Sequence, residues 1–246
     1  MEDIITSHSL TGPLARVARA EEHLAELQRQ IASLKWENMR AFIPQFDLEP
    51  PHYLKLIPIP DLMVDAQVDM GIRIGEILYN LRGALDYLVY RLWWLDSGSA
   101  PLLEDFTQFP IEGSSDRFKV RRKTWLKKID DVHAAMIERA QPYNTVRWSK
   151  ALQTFNNWDK HRGFVDIEGR VTGTAFARPI DANFDEIRAP IQRAQHPIHG
   201  EVDVKVHLSV SIQFKDGTSV PIMDALDEIK RGVAQTLADF HPEFPG

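Results

Sequence analysis

The stretch Ile74-Gly75-Glu76-Ile77-Leu78-Tyr79-Asn80-Leu81-Arg82-Gly83-Ala84-Leu85-Asp86-Tyr87-Leu88 decides how this chain folds. Ile74, Ile77, Leu81, Leu85 and Leu88, continued by Leu92, recur at steps of three and four, the spacing of one helical face. Tyr79, Tyr87, Tyr90 and Trp93 fall elsewhere around the same cylinder. The pattern predicts a long helix from Asp61 to about Leu95, apolar on most sides and therefore central to its domain.

On the N-terminal side, Leu14, Val17, Ala20, Leu24, Leu27, Ile31 and Leu34 draw a second stripe, predicting a helix from about Leu14 to Met39 with Pro13 in its first turn. Prolines 44, 50, 51, 58 and 60 forbid helix between these two, and the apolar pieces Ala41–Phe46 and Tyr53–Ile57 read as short edge strands. On the C-terminal side come a short apolar piece, Phe106–Ile111, then a charged run and two helices, about Asp130–Ala140 and Thr145–Lys160. Gln141-Pro142-Tyr143-Asn144 breaks them, and Trp148, Leu152, Phe155 and Trp158 form the buried face of the second.

After His161 the period changes. Phe164–Ile167 and Val171–Ala177 read as strands, and Val202–Phe214 alternates apolar and polar residues with a period of two. Asp216-Gly217 signals a hairpin into Thr218–Val220. Arg178–Gly200 reads as loop, and a last helix carries Leu226, Ile229, Val233, Leu237 and Phe240. Helices first, strands next and one helix last predict a single α+β domain over residues 1–246. Its helical bundle, with long N-terminal and central helices, occupies about 12–162. A small antiparallel sheet and the C-terminal helix occupy about 163–240, with the sheet covering one side of the helices.

Composition narrows the function. The 246 residues are 43% hydrophobic and 26% charged, ordinary for a globular chain. No cysteine is present, which removes disulfides, Cys-ligated zinc and thiol chemistry. The acidic start, Met1-Glu2-Asp3, argues against a secretory leader, and no apolar run approaches membrane-spanning length, so a cytoplasmic protein without a membrane partner is expected. The net charge of −6 disfavours indiscriminate nucleic-acid binding. Phosphate loops, GxGxxG, GxSxG and HExxH are absent.

Four places carry residue types suited to chemistry. At the end of the fourth helix, Asn156-Asn157-Trp158-Asp159-Lys160-His161-Arg162 turns Asp159 and Arg162 toward the buried face. Buried charges need partners. Arg82 and Asp86, four apart on the central helix, are the expected ones, with Asn80, Asn156 and Tyr143 completing a polar binding cluster. As a catalytic site, the cluster would use His161 as general base and Lys160 or Arg162 on a phosphate; as architecture, it is a helix C-terminus, where cations are favoured. Gly83, inside the central helix, points to close approach of another backbone, in helix packing, or of a ligand. The basic run Arg117, Lys119, Arg121, Arg122, Lys123, Lys127 and Lys128, around Phe118 and Trp125, could follow a nucleic-acid backbone or form a solvated face. His196-Pro197-Ile198-His199, with Asp203 and His207 downstream, matches no established metal spacing; no metal and no cofactor are expected.

Asn80-Leu81-Arg82-Gly83-Ala84-Leu85-Asp86, Phe109-Pro110-Ile111, Gln141-Pro142-Tyr143 and Asn156-Asn157-Trp158-Asp159-Lys160-His161-Arg162, in that order, resemble a widespread set of bacterial and phage-associated proteins. That family shares N-L-R-x-A-L-D, F-P-I, Q-P-Y and N-x-x-D-K-H-R motifs, and its function is unknown. A weaker likeness is to the HEPN helical-bundle ribonucleases. These cut RNA without metal, usually as dimers, with an arginine four to six residues before a histidine. Here Arg147 lies too far upstream of His161, and Arg162 follows it. The leading reading is a non-enzymatic binding or interaction protein, its partner RNA or a small polar ligand, with a homodimer compatible. The alternatives are a metal-independent ribonuclease in phage defence and a nucleic-acid-binding accessory protein.

Overall fold

The structure is a computed structural model. It describes the backbone of residues 9–37, 42–46, 54–58, 64–162, 167–177, 191–196, 200–213 and 219–244, and the side chains of 9–33, 68–157 and 220–244. The chain divides into two compact units. One gathers Met1–Ala25, Ile72–Val165 and Met223–Gly246; the other gathers Glu26–Gly71 and Asp166–Ile222.

In the first unit every regular element among the described residues is helical. It takes the start of α1 (Thr11–Glu37), most of α2 (Val64–Ser97), α3 (Ser115–Thr124), α4 (Asp131–Arg139), α5 (Arg147–Arg162) and α6 (Ile222–Phe240). The sequence stripes are its core. Ile74, Ile77, Leu81, Leu85, Leu88 and Leu92 of α2 are buried, as are Val17, Ala20 and Leu24 of α1, Leu152 and Phe155 of α5, and Leu226, Ile229, Val233, Leu237 and Phe240 of α6. Helix starts are capped as their residues allow. Ser9 Oγ accepts from the Thr11 amide at 3.0 Å, and Asp130 Oδ1 accepts from the Val132 amide at 2.6 Å. Between a 3-10 turn at Pro142–Asn144 and α5, Thr145 takes the left-handed conformation, φ 64°.

The α+β expectation is therefore corrected. Among the residues with described side chains there are six helices, 77% helical content and no sheet, and Val220–Pro221 is a lone pair of strand residues. The physical reason lies in α6. Its stripe closes the helical body from the C-terminal end of the chain, so the helices bury one another's apolar faces without a sheet to cover them. α2 is apolar on most sides, as expected: Met70, Ile74, Ile77, Leu78, Leu81, Leu85, Leu88, Val89, Leu92 and Trp93 are buried, and one face, with Tyr79 60% exposed and Tyr87 44%, meets water.

The second unit holds the remaining turns of α1 and α2 together with the strand backbone. β1 (Phe42–Phe46) pairs antiparallel with β2 (Leu54–Pro58). β5 (Gly200–Gln213), on which the period-two alternation falls, pairs antiparallel with β3 (Ile167–Ala177), β4 (Ile191–His196) and β6 (Ser219–Pro221). β4 falls inside the segment expected to be loop throughout, from Arg178 to Gly200. Its ladder to β5, from Ile191 opposite Lys205 to His196 opposite Gly200, needs no apolar alternation of its own.

One glycine sets a packing distance. A Cβ built on Gly232 of α6 would lie 2.2 Å from Trp148 Cγ, against the root of the indole and not a mobile tip. Gly83 has no such restriction: the nearest atom to a Cβ there is Arg16 Cδ at 3.9 Å, an ordinary contact. The close approach expected at Gly83 belongs instead to Gly232. On an open helix face Gly→Ala would stabilise by about 1 kcal/mol. Gly232→Ala should instead destabilise by roughly 1–3 kcal/mol through overpacking, read by urea denaturation. In a Trp148→Ala background the same change should turn neutral or stabilising.

Candidate functional site

Phe109, Pro110, Ile111 and Glu112 form an extended segment between α2 and α3 that is buried along its length. It belongs to no strand, so its backbone groups must find other partners. Side chains supply them. Asp86 Oδ1 accepts from the Phe109 amide at 2.9 Å, and Arg82 Nη2 donates to the Phe109 carbonyl at 2.5 Å. The i,i+4 spacing on α2 sets the guanidinium and carboxylate side by side, 3.1 Å apart, so that together they offer a donor and an acceptor as a neighbouring strand would. Pro110 has no N–H to satisfy.

Gln141 continues the ladder. Its Nε2 donates to the Pro110 carbonyl at 2.7 Å and to the Ile137 carbonyl at 3.1 Å, while its Oε1 accepts from the Glu112 amide at 2.9 Å. A carboxamide sets a donor nitrogen and an acceptor oxygen side by side at one neutral terminus. Gln153 of α5 donates to the Ile111 carbonyl. The Glu112 carboxylate then accepts from Arg121 Nε at 2.7 Å, and that guanidinium lies 3.9 Å above the Trp125 ring. The N-L-R-G-A-L-D, F-P-I and Q-P-Y motifs thus meet in one place, and they meet as framework.

The other expected site residues fall around this clamp. Asn80 is buried; its Nδ2 donates to the Glu76 carbonyl at 2.8 Å and its Oδ1 accepts from Arg16 Nη1 at 3.1 Å. Tyr143 donates its hydroxyl proton to Glu138 at 2.6 Å; burial, then this carboxylate, pushes the phenol above its ordinary range. Asn156 is buried one turn after Leu152. Asp159, Lys160, His161 and Arg162 form the last turn of α5, but their side chains lie outside the described residues. The expected link from Arg82 and Asp86 to Asp159 and Arg162 falls on side chains outside the described residues; among the described ones, Arg82 and Asp86 pair with each other and clamp Phe109.

The basic run is largely spoken for. Lys119 pairs with Asp116 at 3.0 Å, Arg121 with Glu112, and Lys127 with Asp105 at 2.7 Å. Arg122 donates to the Leu126 and Ile129 carbonyls and to Asp131. Arg117, Lys123 and Lys128 are exposed and make no ion pair among the described residues. No group of three or more His, Asp or Glu there is placed to hold a metal. Of the histidine-rich stretch, His199 lies outside the described residues, and His196 ends β4. No helix among the described residues is long and apolar enough to cross a membrane.

Two clusters had no sequence reading. Arg16 reaches from α1 to α2, where its Nη2 donates to the Tyr87 hydroxyl at 3.0 Å and its guanidinium lies 5.5 and 5.1 Å from the Tyr79 and Tyr87 ring centres. His133 of α4 is buried with Nδ1 2.9 Å from both Asp96 oxygens and Nε2 3.5 Å from Glu243. Asp96 also accepts from the Asp130 amide at 2.7 Å, so it ties the end of α2 to the start of α4. His133 precedes buried Ala134 and lies four before buried Ile137, and that spacing was its only trace in the sequence.

No protein-family model, no curated protein and no solved structure matches this chain.

Gln141→Leu keeps the volume and orphans the Pro110 carbonyl and the Glu112 amide, at about 1–3 kcal/mol each, while the Ile137 carbonyl keeps the Ala140 amide. A loss of roughly 2–6 kcal/mol is expected in urea denaturation, with faster hydrogen exchange at the Glu112 amide. Tyr143 gives a pH effect of definite sign. Its phenol is held protonated in the fold beyond the unfolded value of about 10. This contribution is complete below that value and is lost as pH rises above it. Comparing unfolding of the wild type and Tyr143→Phe, the variant should show the shallower fall in stability above about pH 10.

Proposed function

We propose that this chain is a non-enzymatic binding protein whose helical frame presents the last turn of α5 to a polar ligand. The reading is supported by one observation above all. The Arg82 and Asp86 side chains, which looked available for chemistry, spend hydrogen bonds on the backbone of Phe109, as Gln141 does on Pro110 and Glu112. A catalytic acid or base has to reach a substrate proton, and these groups already hold protein atoms.

The same clamp fixes where α5 stands. Gln153 is bound to Ile111, and Leu152, Phe155 and Asn156 are buried. Asp159 follows Gln153 by six residues, about 9 Å along the axis at 1.5 Å per residue. The Asn156-to-Arg162 turn is thereby carried on a rigid stem, which suits recognition by preorganised polar groups. The resemblance to the bacterial and phage-associated family belongs to this reading as framework: three of its four motifs are the clamp itself.

The test uses purified protein and total RNA in EDTA, with His161→Ala alongside. The expected outcome is no cleavage by either protein. Cleavage by wild type that is abolished in His161→Ala would replace this reading with a metal-independent ribonuclease.

A further inference from the structure

His133 is a buried imidazole outside the clamp, and three other parts of the helical body meet on it. Its side chain is 10% exposed and that of Asp96 8%. Asp96, at the end of α2, lies 2.9 Å from Nδ1 through both oxygens and also accepts from the Asp130 amide at 2.7 Å. Phe240, the last residue of α6, sets its ring 6.0 Å from the imidazole at an angle of 52°. A 3-10 turn, His241–Glu243, then brings the Glu243 carboxylate to 3.5 Å from Nε2. The Phe244 amide closes this turn by donating to the His241 carbonyl at 3.2 Å, and Phe244 is buried.

Both ring nitrogens therefore face a carboxylate, and a carboxylate only accepts. Asp96 fixes a proton on Nδ1. In the neutral ring Nε2 is then a lone pair turned toward the oxygens of Glu243, two acceptors with no proton between them. Protonation of Nε2 converts the same contact into an ion pair. The two carboxylates differ in what else holds them. Asp96 is buried and keeps the Asp130 amide, whereas Glu243 is 43% exposed and has water to turn to. The other charged groups on the adjoining turns are engaged or exposed. Arg91 lies over the Tyr90 ring, Asp130 caps the Val132 amide, Asp131 pairs with Arg122, Asp239 accepts from Gln235, and Lys128 and His241 are exposed. The positive end of the α4 macrodipole opposes a cation at His133. Two carboxylates against the ring offset it.

We infer that His133 is a proton-operated latch: with Nε2 protonated it holds Glu243 and the turn from His241 to Phe244 against α4, and with Nε2 bare it lets them go. Histidine is the side chain that ordinarily changes charge between about pH 5 and 8. The contact with Glu243 is complete where the ring is protonated and is lost as pH rises, the sign of a histidine that gains carboxylate partners on folding. Release uncovers Phe244 and the Phe240 ring beside the imidazole, so the proton controls an apolar surface at this end of the helical body. The latch is independent of the reading of α5.

The full chain is followed by NMR from about pH 5 to about pH 8.5, reading the His133 ring nitrogens and the Phe244 ring signals. Nε2 should lose its proton over this range while Nδ1 keeps its own. The Phe244 signals should move toward solvent-exposed positions along the same curve. This movement should persist in His241→Gln, which removes the other imidazole of the turn, and vanish when Glu243→Gln is added. A carboxamide accepts from the protonated ring and donates to the bare one, so it holds the turn at either pH. Both substitutions sit on exposed side chains, and unchanged circular dichroism and melting at the acid end confirm the fold. The inference is overturned if the His133 ring keeps one protonation state throughout, or if Nδ1 is the nitrogen that titrates. It is equally overturned if Phe244 stays still in wild type, stops moving in His241→Gln alone, or still moves in the double variant.

Discussion

A buried extended segment with no strand beside it is the constraint on which the helical body depends. Phe109 to Glu112 must bring its amides and carbonyls into an apolar interior, and each group left unpaired there would cost about 1–3 kcal/mol. The solution draws donors and acceptors from three places: Arg82 and Asp86 on α2, Gln141 after α4, and Gln153 on α5. The apolar stripes would tolerate small rotations of these helices, because burial is non-directional. The hydrogen bonds do not. A helix turned by one residue, about 100°, would carry its polar side chain away from the segment. Packing supplies the driving force, and the clamp selects one arrangement from those that packing allows.

This division explains what the sequence disclosed. The helices were legible because burial writes its period along the chain: the stripes from Ile74 to Leu92 and from Leu226 to Phe240 are where the structure buries them. Fold class was not legible, because it was inferred from the order of helices and strands. That order does not say which elements share a core. The stripe of α6 belongs with those of α2 and α5 although β3 to β6 intervene in sequence. Phe109-Pro110-Ile111 stood out as an apolar piece, but its partners lie between 23 and 42 residues away. Side-chain-to-backbone bonds of that kind leave no periodic trace. Glycine was ambiguous for a similar reason. Gly83 and Gly232 look alike in sequence, and only the position of Trp148 distinguishes them.

The described candidate residues were legible one by one, as polar groups in need of partners, and illegible in their role. Arg82, Asp86, Asn80 and Tyr143 were singled out because polar groups on helix faces need partners, and each has one. The same need that makes such residues look functional is met here by protein atoms. The basic run behaves alike: Lys119, Arg121, Arg122 and Lys127 are matched to Asp116, Glu112, Asp131 and Asp105. Counting charge along the chain cannot foresee such matching, because Arg121 and Glu112 are nine residues apart and Lys127 and Asp105 twenty-two.

The converse case concerns apolar residues. The hydrophobic effect acts on every leucine alike, so apolar character by itself does not say whether Leu102, Leu103 and Phe106 are buried. Burial, however, requires a face to bury against. Asp105 closes the turn from Leu102, and Lys127 tethers it by hydrogen bond, before these side chains reach the helical core. A carboxylate that fixes a loop thereby decides the fate of three apolar neighbours, and it does so through contacts invisible to a hydropathy pattern. Polar residues that looked free are bound within the frame, and three apolar residues of a loop are held in water. In both cases the deciding interaction is a hydrogen bond or ion pair to a distant part of the chain, which is why the helices could be read from the sequence and the surfaces could not.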